Sequence, residues 1–212
     1  MERKCTICGD TILIDENNSV KAIRYKDKFY HYECFNNICD KRIASPRKDI
    51  SITWTQIKED IVGLVAETTK WKKFQVAKEE LSEWLLSKYD LSFIGTRVYM
   101  KLNDIYNGTF KGLAYPIGPV ELLEEWQYYW GELCAIRRNK GIIGESAINY
   151  DLTILLSRNV EYRKIKERER VAKEMRRQQT EEVVVPQIKT KWQPKNKVAD
   201  LYKEMNGGDN NE

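Results

Sequence analysis

The chain of 212 residues has one histidine, His31. This excludes any two-histidine metal site, any histidine acid–base pair and any histidine-based triad except one built on His31 itself. No apolar run approaches the about 18 residues needed to cross a bilayer, and no apolar signal segment follows Met1, so neither an integral membrane protein nor a secreted one is expected. Five cysteines are an odd number, too few to staple a chain of this length. A reducing, intracellular setting is therefore expected: cytoplasmic or nucleoid-associated in a bacterium or phage, nuclear in a eukaryote. The sequence has no phosphate-binding P-loop, no dinucleotide-binding glycine pattern and no Gly-x-Ser-x-Gly elbow, and no enzyme is expected. The remaining catalytic alternative is a carboxylate, Mg²⁺-dependent nuclease, although no acidic pair stands out from the charge background.

What is abundant is charge. Asp, Glu, Lys and Arg make up 32% of the chain, against about 25% in an ordinary domain. Residues 1–50 carry ten basic and eight acidic side chains, residues 51–157 carry 12 and 14, and residues 158–212 carry 14 and 10. The basic surplus lies at the two ends and the middle is slightly acidic. This balance alone is too mild to argue for nucleic acid.

The patterning predicts an α+β chain, mostly α: a small treble-clef-like zinc finger over 1–48, a helical domain over 49–157, a basic charged helix over 158–180 and a disordered tail over 181–212. The first section reads as short strands over 11–14, 20–25 and 28–30, with polar turns at 15–18 and at Lys26-Asp27, followed by a helix-like piece from His31 to Phe35. In the second, Thr53 with Gln56 makes a capping box for a helix to Thr68. Further helices are expected over 75–89, 96–106 and 120–137, and a strand or hairpin over 109–117. Trp126, Tyr129 and Trp130 can share one helix face, leaving Tyr128 exposed. Cys134 lies among apolar residues and reads as a buried structural cysteine. A helix from about Asn149 continues into 158–179, which holds nine basic and four acidic residues. In the tail, Trp192, Leu201, Tyr202 and Met205 resemble a short motif that folds on a protein partner.

Cys5-Thr6-Ile7-Cys8 is followed by 22 residues and then His31-Tyr32-Glu33-Cys34. Thiolates two apart on a tight turn grip one Zn²⁺ as a pair, and a His and a Cys on one helical turn close the tetrahedron. The predicted metal ligands are Cys5, Cys8, His31 and Cys34. Four protein ligands leave no open position, so the Zn²⁺ would be structural and not catalytic.

With Ile12 four residues after Cys8, and the closure Phe29-Tyr30-His31-x2-Cys34-Phe35, residues 5–35 resemble the poly(ADP-ribose) polymerase-type zinc finger. They also resemble the first half of a LIM domain. The gap between Cys8 and His31 fits the LIM range, whereas polymerase-type fingers usually have a longer one, and Phe29 stands where both families usually carry Trp. A full LIM domain needs a second CxxC starting at position 37, which is Asn37, and Cys39 alone cannot build that second site. A shortened polymerase-type finger is the better match. Fingers of that type bind DNA through phosphate contacts and base stacking. The resemblance therefore implies contacts from Arg3, Lys4, Lys21, Arg24, Lys26, Lys28, Lys41, Arg42, Arg47 and Lys48, with Tyr25 and Tyr32 as stacking surfaces. The competing reading of these cations is a solvated face balanced by the acids of the same segment.

Helices over 75–89 and 96–106 followed by a Gly-rich hairpin have the order of a winged helix-turn-helix. There Thr96, Arg97, Lys101, Asn103 and Asn107 would face the groove and Lys111 would sit on the wing. The alternative is a plain packing domain, which the acidic balance favours. The function expected overall is a zinc-binding, DNA-binding accessory or regulatory protein. The alternative is a protein–protein adaptor whose finger is only a folding staple.

Overall fold

A computed structural model of the chain describes residues 1–182, with side-chain exposure described to residue 178. The motif expected around Trp192 lies outside the described residues. The chain divides into two compact units, Met1–Arg163 and the residues from Lys164.

Two antiparallel hairpins open the first unit. Strand β1 (Glu2–Lys4) pairs with β2 (Thr11–Leu13), with Arg3 opposite Ile12. Strand β3 (Ile23–Tyr25) pairs with β4 (Lys28–Tyr30), with Arg24 opposite Phe29. Lys26 and Asp27 both take positive φ, 47° and 61°, the geometry whose twist suits a two-residue hairpin. The link between the hairpins is held by the buried Asn18. Its amide donates to the Ala22 carbonyl at 2.8 Å and accepts from the Ala22 N–H at 2.8 Å.

Helices follow: α1 (Tyr32–Ile43), α2 (Lys48–Glu59), α3 (Ile61–Tyr89), α4 (Thr96–Asn107), α5 (Pro119–Lys140) and α6 (Gly144–Glu182). The described residues are thus mostly helical, with a small treble-clef-like element of hairpins and helix at the N-terminal end. Two larger apolar cores form, beside a small one of Cys5, Ile12, Ile14 and Ala22. In one, Ile23, Tyr30, Phe35, Cys39 and Ile61 are buried, with Trp54, Ile57, Leu64 and Val65 packed on them. In the other, Leu81, Leu85, Val98, Leu102, Ile105, Leu122, Trp126, Leu133, Leu152 and Leu155 are buried among α3–α6. The helices on either side of residue 48, α1 and α2, therefore share the first core.

Several expected elements are corrected. The helix break expected between Thr68 and Gln75 falls at Asp60. Residues 69–74 contain no breaker and continue α3. Asp60 caps α3 in a non-helical conformation (φ −93°, ψ 14°). A Cβ on Gly63 would lie 2.2 Å from Asp60 Oδ1, so a glycine there lets the Asp60 side chain fold over the helix start. Thr53 lies inside α2, where its hydroxyl donates to the Asp49 carbonyl at 2.9 Å and caps nothing. Residues 109–117 form turns, with no strand and hence no wing. The amides of Thr109 and Phe110 both donate to the Asp104 carbonyl (2.9 and 3.2 Å), and Ile117 N–H donates to Ile105 O at 3.2 Å. With those donors engaged by the end of α4 and Gly112 at φ +91°, no ladder can form. Strand β1 was not expected, and Cys134 is half-buried, beside Arg137 at 3.3 Å.

The expected Trp126 and Tyr129 core face forms, and Tyr128 is exposed. Buried polar groups in this core pair with one another. Trp126 Nε1 donates to Tyr89 Oη at 2.8 Å, Tyr89 Oη donates to Asp151 Oδ2 at 2.6 Å, and Arg137 Nε lies 2.9 Å from the same oxygen. In the second unit α6 continues as a single exposed charged helix, with Arg170 and Glu167 paired at 2.7 Å and Lys166 and Glu169 at 3.9 Å. No described helix is long and apolar enough to cross a membrane.

Candidate metal centre

Cys5 and Cys8 lie on the tight turn between β1 and β2. The Cys5 amide donates to the Asp10 carbonyl at 2.8 Å and the Gly9 amide to the Cys5 carbonyl at 3.0 Å. Gly9 takes φ +79° with nothing within 4 Å of where a Cβ would stand, so backbone conformation, not space, selects glycine there. His31 follows β4 as the extended residue that caps α1, and Cys34 lies in the first turn of that helix. The Thr6 amide donates to the Phe29 carbonyl at 2.9 Å and ties the cysteine turn to the second hairpin.

This arrangement gathers the ligand atoms of Cys5, Cys8, His31 and Cys34 within 4.8 Å of one another, the only such cluster among the described residues. Cys8 Sγ lies 3.3 Å and Cys34 Sγ 4.0 Å from His31 Nδ1. Tetrahedral bonds of about 2.3 Å to sulfur and 2.0–2.1 Å to nitrogen set neighbouring ligand atoms about 3.5–3.8 Å apart, so the cluster has the dimensions of a metal cage. Its electrostatics also ask for a cation. Burial opposes ionisation of Cys5, but the N–H groups of Cys8, His31 and Ile7 outweigh it and bring that thiol down to about 6. Burial, with the crowding of Cys5 and Cys8, pushes Cys34 up to about 11. One thiolate forms readily and its neighbours then resist, which a bound cation relieves. Cys39, the remaining cysteine of this region, is wholly buried in the Phe35 core, outside the cluster.

The expected cations fall into two groups. Around the finger, Lys26, Lys28, Lys41, Arg42, Arg47 and Lys48 are exposed and Arg24 is partly so. Lys26 lies over the Tyr25 ring at 5.4 Å and Arg42 over Trp54 at 6.0 Å. Arg24 pairs with Asp27. Tyr25 and Tyr32 pack on the Phe35 core, with Tyr25 and Phe35 centroids 5.5 Å apart. Both tyrosines keep partial exposure. On α4, Arg97 is exposed, but Lys101 Nζ donates to Asn149 Oδ1 at 2.6 Å and Asn103 Oδ1 accepts from Lys78 at 3.0 Å. These two are engaged within the fold and do not form a free reading face.

A row of side chains brings two of the expected cations, Arg3 and Arg24, and Phe29 together with Trp71, which the sequence did not single out. Arg3 sits 5.4 Å over the Phe29 ring, Phe29 and Trp71 are 5.2 Å apart, and Arg24 sits 5.3 Å over Trp71. Phe29 and Trp71 are half-buried. Trp71 joins the finger because α3 runs unbroken past β3, and the Thr68 hydroxyl one turn earlier accepts from the Arg24 amide at 2.8 Å. A continuous helix over 61–89 was the signal that would have found it. Comparison of the chain with protein-family models, curated proteins and solved structures returns no match.

Proposed function

We propose that the chain is a zinc-binding, DNA-binding accessory or regulatory protein that does no chemistry of its own, with a shortened finger of the poly(ADP-ribose) polymerase type. Three thiols and one imidazole form a donor set that suits Zn²⁺. Cys5, Cys8, His31 and Cys34 would hold it, and it would supply a cross-link that fixes the cysteine turn against α1. Cys5 and Cys8 orient the turn carrying Thr6, and His31 and Cys34 orient the first turn of α1, so the four ligands set the position of the strands between them.

The observation that carries the DNA reading is the row Arg3, Phe29, Trp71 and Arg24 on the finger. Arginines interleaved with aromatic rings serve single-stranded and end-exposed nucleic acid: the cations meet phosphates and the rings meet bases. Lys26, Lys28, Lys41, Arg42, Arg47 and Lys48 add exposed positive charge around the same finger.

Fluorescence anisotropy against labelled duplex, nicked duplex and single-stranded DNA at two salt concentrations tests the proposal. Binding should weaken steeply with salt. Arg24→Ala should lower the slope of log affinity against log salt by about 1, and Trp71→Ala should weaken single-stranded or nicked DNA about tenfold or more. Lys41, Arg42, Arg47 and Lys48 changed together to Ala should lower the slope further. Salt-independent binding, or none at low salt, would remove DNA as the partner. A second reading, a protein–protein adaptor, is favoured by the exposed apolar side chains Phe93, Met100 and Ile143. An apolar protein interface would respond little to salt.

A further inference from the structure

In the second unit, every side chain of α6 from Lys166 to Gln178 is exposed. Residues 164–178 hold seven basic and three acidic side chains, a net of +4. These charges are sorted by face. Lys166, Arg170, Lys173 and Arg177 follow one another at intervals of four, three and four residues. At about 100° per residue they fall within about 60° of arc, a stripe about 16 Å long. Glu169 flanks it on one side, and Glu167 and Glu174 on the other. The opposite face carries Lys164, Arg168, Val171 and Met175.

Two of the four cations touch the flanks. Arg170 donates to Glu167 through two nitrogens, at 2.9 and 2.7 Å, and Lys166 Nζ lies 3.9 Å from Glu169. Pairs this exposed are weak, so an arriving anion can compete for the same donors. Lys173 and Arg177 make no ion pair among the described residues. A row of cations along one side of an exposed helix matches a row of anions. About 16 Å of duplex axis passes about five phosphates on each strand, enough to meet four long, flexible cations. The acidic flanks restrict the contact to one strand. A helix sunk in a groove would press Glu169 against one backbone and Glu167 and Glu174 against the other. A bilayer suits the helix less well. The face that would enter it carries Lys164 and Arg168 beside Val171 and Met175, and residues 164–178 contain no Trp, Phe or Leu.

We propose that the stripe Lys166, Arg170, Lys173 and Arg177 tracks the phosphate backbone of one strand of duplex DNA without reading its sequence. The partner class is that of the finger reading, but the surface is a second one and does not rest on the finger's residues.

The test is fluorescence anisotropy of the full, zinc-loaded chain with two duplexes of unrelated sequence, over a range of salt concentrations. Lys173→Gln with Arg177→Gln should lower the slope of log affinity against log salt by about 2, equally for both duplexes. Lys164→Gln with Arg168→Gln removes the same charge from the opposite face and should lower it by less than about 1. Glutamine is a good helix former and all four positions are exposed, so both variants should keep their fold. Equal loss in the two variants would overturn the stripe, since net charge alone would then account for binding. An unchanged slope in the stripe variant, with Arg24→Ala still lowering it, would overturn the stripe and leave the finger reading standing. The reverse pattern would uphold the stripe and remove the finger. A chain that binds neither duplex at low salt, yet sediments with phosphatidylserine vesicles through Lys173 and Arg177, would replace DNA by a membrane surface and overturn the proposal.

Discussion

Glu125 is wholly buried on α5 with Oε1 lacking a partner and Oε2 accepting from Asn159. Burial is the main cause that pushes its carboxyl up to about 7, against the opposing hydrogen bond from Asn159. An acid raised in the folded state holds its proton where the unfolded chain has lost it. Folding stability should therefore be full below the unfolded value of 4.5 and should fall as pH rises from there to about 7, by at most about 1.4 kcal/mol per pH unit from this group. Glu125→Gln keeps the acceptor for Asn159 and removes the charge. Denaturant unfolding across that window should show a flatter pH dependence and a more stable variant at neutral pH; an unchanged pH slope contradicts the assignment. The metal ligands make a second prediction at this scale. Cys8→Ser and His31→Ala should each reduce bound zinc, measured by elemental analysis, from one per chain to a small fraction. The clustering of Cys5, Cys8, His31 and Cys34 was legible in the sequence because a single histidine three residues from a cysteine leaves little choice of partner. Trp71 was not legible, because its role depends on where a helix begins ten residues earlier.

Helix α3 illustrates why elements were only partly readable. Its start at Asp60 has no proline, and its cap makes no side-chain hydrogen bond, so the local sequence lacks a strong stop. The C-terminal limits of α4 and α5 were readable because Gly108 and Gly141 take positive φ there. The hairpin expected over 109–117 failed because amides that would form a ladder instead close the end of α4. Helix α3 also serves two cores: Ile61, Leu64 and Val65 pack with Phe35, whereas Leu81 and Leu85 pack with Trp126. Removal of the metal by a chelator should therefore extend beyond the finger. Hydrogen exchange should quicken in α1, α2 and the first turns of α3, while α5 and residues 144–156 stay protected. Loss of protection confined to residues 1–45 would mean that the finger is independent of α2. In the second core, Trp126→Ala removes a fully buried ring and leaves Tyr89 Oη without its donor. It should cost about 3–5 kcal/mol in denaturant unfolding; a loss below about 1 kcal/mol would contradict the packing described.

At the scale of the molecule, the fold class was readable from period and composition, since helical spacing dominates from residue 50 and cysteines cluster before it. The sharing of a core across residue 48 was not, because the sequence marks it only by apolar residues that either section could have kept to itself. The charge distribution follows the same division: exposed cations surround the finger, and the acidic residues of the middle are partly engaged inside it, as Glu121 is by Arg163 and Asp151 by Arg137. The account rests on one metal held by four named side chains. The direct measurement is the X-ray absorption spectrum at the zinc edge of the full chain purified with zinc. It should give three sulfur neighbours at about 2.3 Å and one nitrogen at about 2.0–2.1 Å, with one sulfur lost in Cys34→Ser. A shell of oxygen and nitrogen alone, or a chain that retains no zinc, would contradict it.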